Sequence, residues 1–291
     1  MKMTEFLDQY KIEGTVNLDT NSCFTDPTTY SSFQKEFIEF KDKLISLVNS
    51  DQSKTFYKFG DGDYFFLRRE NVGSAQPGRR ALSVPYHMLN NHHEFILGSL
   101  KNDYVTVEIY PENRNHFHSI YPDRNIDYPA EFSYGLVSNR WIFEKFVGKI
   151  GIIGAYEKLV LINNLMQHKT YQDYLGIDKF NEYVCIPQRF ACDNIAAVEG
   201  MVAKQLSSSP DETRIYLVGI GHVKSALTHR FKKYKNAIFL DVGSGIDALA
   251  GIIDEKRPYM GGWINHRLHN FDYNTIDFLQ YESNPEKEIW L

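Results

Sequence analysis

A short apolar run, Thr55-Phe56-Tyr57-Lys58-Phe59, breaks into Gly60-Asp61-Gly62-Asp63 and continues as Tyr64-Phe65-Phe66-Leu67. Two carboxylates separated by one glycine can hold a hard divalent cation through oxygen donors. An ion held there would neutralise a diphosphate, which points to an enzyme acting on a phosphorylated substrate rather than to a scaffold. The same spacing fits a purely structural use, a tight turn at Gly60-Asp61-Gly62 with Asp63 capping the next helix. The basic residues nearby (Lys58, Arg68, Arg69, Arg79, Arg80) suit phosphate contacts, but a solvated surface is the default reading of each.

Three more glycine turns follow apolar runs, at Gly154, at Gly219-Ile220-Gly221-His222 and at Gly243-Ser244-Gly245. The second opens like a dinucleotide fingerprint, but Lys224 stands where the third glycine belongs, so the motif is incomplete. It reads as a strand-to-helix turn whose N–H groups can face an anion, with His222 either a phosphate ligand or a helix cap. Asp241-Val242-Gly243-Ser244-Gly245 is similar to the glycine turn of S-adenosylmethionine methyltransferases. In those enzymes most of the domain follows that turn; here only about a quarter of a domain of roughly 150 residues remains. A methyltransferase is therefore the alternative reading. Asp247 is a site carboxylate or a first-turn helix residue, and Glu108, late in its strand, is a candidate general base. The pairs His116/His118 and His92/His93 have no third ligand in view and read as surface. Nucleophile-elbow, zincin and P-loop motifs are absent from the sequence.

These residues need a frame to bring them together. Phe33, Phe37, Phe40, Leu44 and Leu47 recur at helical spacing, which predicts a core-facing helix over 31–49. Strands are expected at 55–59, 103–110 (stopped by Pro111), 149–154, 183–186, 214–219 and 237–241. Helices are expected at 85–101, 135–147, 155–169, 223–234 and over Asp193–Leu206 with Asp193 as N-cap. The polar stretch 111–133 reads as a long loop. Short apolar strands alternating with helices imply an α/β, Rossmann-like fold with a mainly parallel sheet. Ligands in such sheets bind beyond the carboxyl ends of the strands, where all four glycine turns lie. Residues 1–30 read as an N-terminal arm and 31–291 as one catalytic domain.

The chain has 291 residues, enough to bury a core without staples. Its net charge of −5 is dispersed, which speaks against a nucleic-acid partner. Three cysteines without CxxC spacing argue against a disulfide framework or zinc knuckle. With no signal-peptide core and no run near the ~20 apolar residues of a membrane span, the expected compartment is the cytoplasm. Aromatic residues reach 14%, which leans toward stacking on sugar rings. An aromatic helix face leaves a homo-oligomer open.

Phe59-Gly60-Asp61-Gly62-Asp63 resembles the Asp-x-Glu segment of the GT-D type glycosyltransferases, a Rossmann-like family once known only as a domain of unknown function. Val218-Gly219-Ile220-Gly221-His222 and Leu240 to Gly251 are similar to that family's closing glycine turn and its Asp-Ile-Gly-Ser segment. Asn139-Arg140-Trp141 ahead of Ile150 to Gly154, and Arg257-Pro258-Tyr259, echo it further, in order along the chain. Asp63 stands where the family's motif has Glu, one methylene longer. The resemblance implies transfer of a sugar from a nucleotide-diphosphate donor, a UDP-sugar above all, to a glycan or glycoconjugate acceptor, assisted by Mn2+ or Mg2+. Asp61 and Asp63 would be the metal-binding carboxylates. Gly60, Gly62, Gly154, Gly219, Gly221, His222, Gly243 and Ser244 would line the nucleotide-sugar site. The base for the acceptor hydroxyl would come from Asp61, Asp63, Glu108 or Asp247. A non-catalytic nucleotide-sugar binding module is a further alternative.

Overall fold

A computed structural model describes residues 33–69, 89, 91–109, 111–138, 140–187 and 191–250. The predicted arm, Arg79, Arg80, Asn139 and Arg257-Pro258-Tyr259 lie outside the described residues. The expected α/β architecture is present: seven parallel strands in the order β3-β2-β1-β7-β6-β4-β5. They are β1 (Lys54–Phe59), β2 (Tyr104–Val107), β3 (Tyr128–Pro129), β4 (Ile150–Ala155), β5 (Glu182–Ile186), β6 (Ile215–Gly219) and β7 (Ile238–Asp241). Central strands are apolar on both faces, as a sheet covered on both sides requires. Alternate side chains feed two cores: Phe56, Ile152, Leu217 and Leu240 on one face, Tyr57, Ile153, Val218 and Phe239 on the other. The β3 edge is closed by a strand of only 2 residues ending in proline, which offers little to a foreign strand.

Helices α1 (Phe33–Asn49), α5 (Ala130–Ser138), α6 (Trp141–Lys145), α7 (Tyr156–Leu165), α8 (Lys169–Leu175) and α11 (Gly245–Leu249) cover the first face. The second face carries α2 (Asp61–Leu67), α3 (His92–Leu100), α4 (Pro111–Ile120), α9 (Ile195–Ser207) and α10 (Lys224–Leu227). Every crossover toward the β3 edge runs over the second face and every crossover toward the β5 edge over the first. One handedness therefore serves the whole sheet, as parallel βαβ units require. The predicted stripe on α1 holds from Phe37 to Leu47: Phe37, Phe40 and Leu44 are fully buried, and Phe40 meets Phe56 edge-on at 5.9 Å.

Several local readings are corrected. The expected loop 111–133 contains α4, β3 and the start of α5. β2 ends at Val107, short of the expected stop at Pro111, and Pro111 instead opens α4, because proline is well suited to the first helical position. Only Asn113 and Phe117 of α4 are buried, so one apolar anchor was too thin a pattern to read as a helix. The helix expected at 135–147 divides at Arg140, which has a left-handed φ of 63°. That expected at 155–169 ends at Leu165, with α8 following. The 223–234 segment is α10 flanked by 3-10 turns at Gly221–Val223 and Thr228–Lys233. The cap of α9 is Asn194, whose side chain accepts the Ala197 N–H at 3.1 Å, one residue beyond Asp193.

Candidate functional site

β1, β7, β6 and β4 are consecutive neighbours, so the four glycine turns stand in a row along the carboxyl edge of the sheet. The chain leaves β1 and β6 toward one face and β7 and β4 toward the other. Neighbouring strands whose connections part in this way open the crevices in which α/β folds bind ligands.

The centre of this edge is ionic. Gly60 is the N-cap of α2, and Asp63, in its first turn, reaches back to accept the Gly60 N–H at 2.9 Å. The same Asp63 oxygen, Oδ2, is 3.1 Å from Lys224 Nζ at the start of α10. Lys224 is also 3.0 Å from Asp241 Oδ2 at the end of β7, and it donates to the Lys58 carbonyl. The contact to the Lys58 carbonyl is a hydrogen bond, and those to the two carboxylates are ion pairs. Asp241 is fully buried and accepts the Lys58 and Gly243 N–H groups, each at 2.9 Å. Lys224 thus ties the ends of β1 and β7 to the turn leaving β6, with the Tyr57 ring beneath it at 5.1 Å.

Burial pushes the Asp63 carboxyl up, but Lys224, His222 and Lys58 outweigh it and hold the group ionised, well below the usual range. Its other oxygen, Oδ1, is buried and lacks a hydrogen-bond partner among the described residues. His222 Nδ1 stands 3.7 Å from it, an electrostatic contact too long for a hydrogen bond. The His222 ring stacks on Phe66 at 4.6 Å.

The predicted glycines divide by role. Gly219 lies where a Cβ would sit 2.3 Å from Ile246 Cγ1, so it admits α11 against β6. Gly154 is tight against Leu159, at 3.0 Å, and Gly60 lies under Lys58 Nζ. Gly62 is buried within α2, while Gly243 and Ser244 form the turn into α11. Gly221 and Gly243 both have left-handed φ values, 60° and 50°, and at Gly221 the space where a Cβ would point is open. We predict that Gly219→Ala costs about 1–3 kcal/mol through overpacking against Ile246, read as a lowered urea midpoint. An unchanged midpoint would show that α11 yields freely.

Glu108, just past β2, pairs with Lys58 Nζ at 3.2 Å and accepts from Asn113 Nδ2 at 2.6 Å. Lys58, expected at the surface by default, is half-buried and leans over the Gly60 turn. Next to Glu108 lies Glu131, which no motif or spacing singles out. Both its oxygens face the Ile109 N–H, at 3.1 and 3.3 Å. Burial, then the charge of Glu108, pushes its carboxyl up to about 8. Asp247 stands apart on α11, paired with Lys158 of α7. His116 is not a loose surface residue but stacks on Tyr64 at 3.8 Å; His118 is exposed. His92 is buried, with Nε2 3.0 Å from the Phe66 carbonyl, which corrects its reading as exposed; His93 is exposed.

A polar strip therefore runs from Glu131 through Glu108, Lys58, Asp63 and Lys224 to Asp241. Among the described residues no group of three or more His, Cys, Asp and Glu side chains gathers as a metal set. Asp63 Oδ1, buried on an ionised carboxylate and without a hydrogen-bond partner, is nonetheless a donor of the kind a hard cation takes. Searches against protein-family models, curated proteins and solved structures find no match to the chain.

Proposed function

We propose that the carboxyl edge around β1, β7 and β6 binds a nucleotide-diphosphate sugar, a UDP-sugar foremost, and transfers the sugar to a glycan or glycoconjugate hydroxyl. The observation that carries this reading is the open Gly221 turn beside the buried, ionised Asp63, where the motifs resembling a GT-D glycosyltransferase meet. Gly221 lets a diphosphate approach the backbone, and His222 follows it in the same turn. Lys224 is buried between Asp63 and Asp241, so its role is to fix Asp63 and the turns rather than to touch phosphate. Asp63 Oδ1, with Asp61, would hold Mn2+ or Mg2+, which when bound stabilises negative charge on the departing diphosphate. No observation specifically favours a methyltransferase, since Asp241 commits both oxygens to the protein. No helix among the described residues is long and apolar enough to cross a membrane.

Thermal shift with UDP-, GDP-, CDP- and dTDP-sugars, with and without Mn2+, tests this directly. A donor at about 100 times its Kd adds roughly 2.7 kcal/mol of stability. We expect a Mn2+-dependent shift with one nucleotide class. In Asp61→Asn the Mn2+ dependence and sugar transfer should disappear while the protein stays folded. A shift with S-adenosylmethionine and none with any nucleotide sugar would transfer the assignment to the alternative.

A further inference from the structure

We propose that Lys158 is a cation that receives the donor's diphosphate, and that Asp247 holds its place as a stand-in anion until the diphosphate displaces it. The assignment rests on the transferase reading above and names a side chain that meets the phosphates of that same site.

β6 lies between β7 and β4 in the sheet, and its connection leaves toward the second face while theirs leave toward the first. The Gly221 turn therefore opens into a crevice with α11, from β7, on one side and α7, from β4, on the other. Two glycines set how close these helices come. Gly154 and Gly219 are register partners across β4 and β6. Where their Cβ atoms would point, Leu159 and Ile246 pack instead, at 3.0 and 2.3 Å. The first turns of α7 and α11 thus settle against the strand ends, and Lys158 and Asp247, one from each, form an ion pair.

That pair differs in kind from the Lys224 tie. Lys224 is buried between two carboxylates and donates to a carbonyl. Lys158 faces a single carboxylate among the described residues, and the two side chains keep 26% and 29% of their surface exposed. An ion pair open to water to that extent is weak, and a ligand that reaches it can exchange its partners. A lysine in a first helical turn also opposes the helix dipole, so helix stability does not require Lys158. A diphosphate carries more negative charge than one carboxylate and presents several acceptor oxygens, which makes its contacts to an ammonium the stronger ones. It outcompetes Asp247 for Lys158, and the carboxylate, left beside a like charge, turns to the solvent it already touches.

The test titrates the full chain with UDP, GDP, CDP and dTDP in Mn2+ by calorimetry and follows the nucleotide that binds most tightly. Lys158→Met should raise its Kd about 10-fold or more, while Lys158→Arg, which keeps the charge, stays within about threefold. Asp247→Asn should do the opposite and lower the Kd about threefold, because the competing anion is gone. In the double variant most of that gain should vanish, since no cation is left to release. A merely structural pair would lower the urea midpoint in both single variants and leave both Kd values at the native one. Native-like binding by folded Lys158→Met, or unchanged or weaker binding by folded Asp247→Asn, would overturn the assignment and leave the transferase reading standing. If Lys158→Met does not fold, Lys158→Gln carries the same expectation. No binding of any of the four nucleotides by the native chain would remove both readings. The opposed shifts without transfer from any of the four classes of nucleotide sugar would keep the diphosphate site and remove the transferase reading.

Discussion

Lys224→Met should be among the most damaging single changes in this protein, lowering stability by about 3–5 kcal/mol, or on the order of 10 °C in Tm. Lys224 is 6% exposed, and its ammonium lies 3.1 Å from Asp63 Oδ2 and 3.0 Å from Asp241 Oδ2. Removing it leaves two buried carboxylates facing one another with no cation between them. It also leaves the Lys58 carbonyl without the ammonium that donates to it. Methionine replaces the stem well enough that lost packing is a minor part of the cost. The electrostatic origin is testable by a cycle with Asp63→Asn, which removes one of the stranded charges while keeping an oxygen for the Gly60 N–H. The double variant should then lose clearly less than the sum of the two singles. Additive losses, or a Lys224→Met protein as stable as the native chain, would show that the three-way tie does not hold the edge together.

Lys224 also shows what the sequence could and could not convey. In the chain it looked like a defect, the residue standing where a fingerprint glycine was expected. Its partners are Asp63, 161 positions earlier, and Asp241 at the end of another strand. They meet because β7 inserts between β1 and β6, an order that no local pattern encodes. The strands themselves were legible, since 150–155, 215–219 and 238–241 are apolar runs ending in glycine turns, and parallel pairing places those turns on one edge. Glu108 was visible as a strand-end carboxylate. Glu131 was not, because it lay in a stretch read as loop, and the signal missed there was Pro111 as the opening of a helix. Segments held by a single buried aromatic, as α4 is by Phe117, carry too little periodicity to separate helix from loop.

Glu131→Gln should make the protein more stable at mildly alkaline pH while changing little in acid. The folded-state carboxyl is raised from 4.5 to about 8, by burial first and by Glu108 second. Below its unfolded pKa the group is protonated in both states and contributes nothing to the pH dependence. Between the two values the unfolded chain releases the proton and the folded chain keeps it, so stability falls by about 1.4 kcal/mol per pH unit. Above the folded value both states are ionised and the full penalty, a few kcal/mol, has accumulated. Glutamine cannot ionise, and its amide oxygen can still accept the Ile109 N–H that both Glu131 oxygens now share. His229, held down to about 4 by burial, and His92, also lowered by burial, give slopes of the opposite sign. Their slopes end near the ordinary histidine value of about 6.5, so the interval from there to pH 8 belongs to Glu131. Urea midpoints of the native and Glu131→Gln proteins at pH 4, 6.5 and 8.5 should converge at the first value and separate progressively at the other two. Parallel curves across that range would mean that Glu131 ionises as freely in the fold as in the unfolded chain.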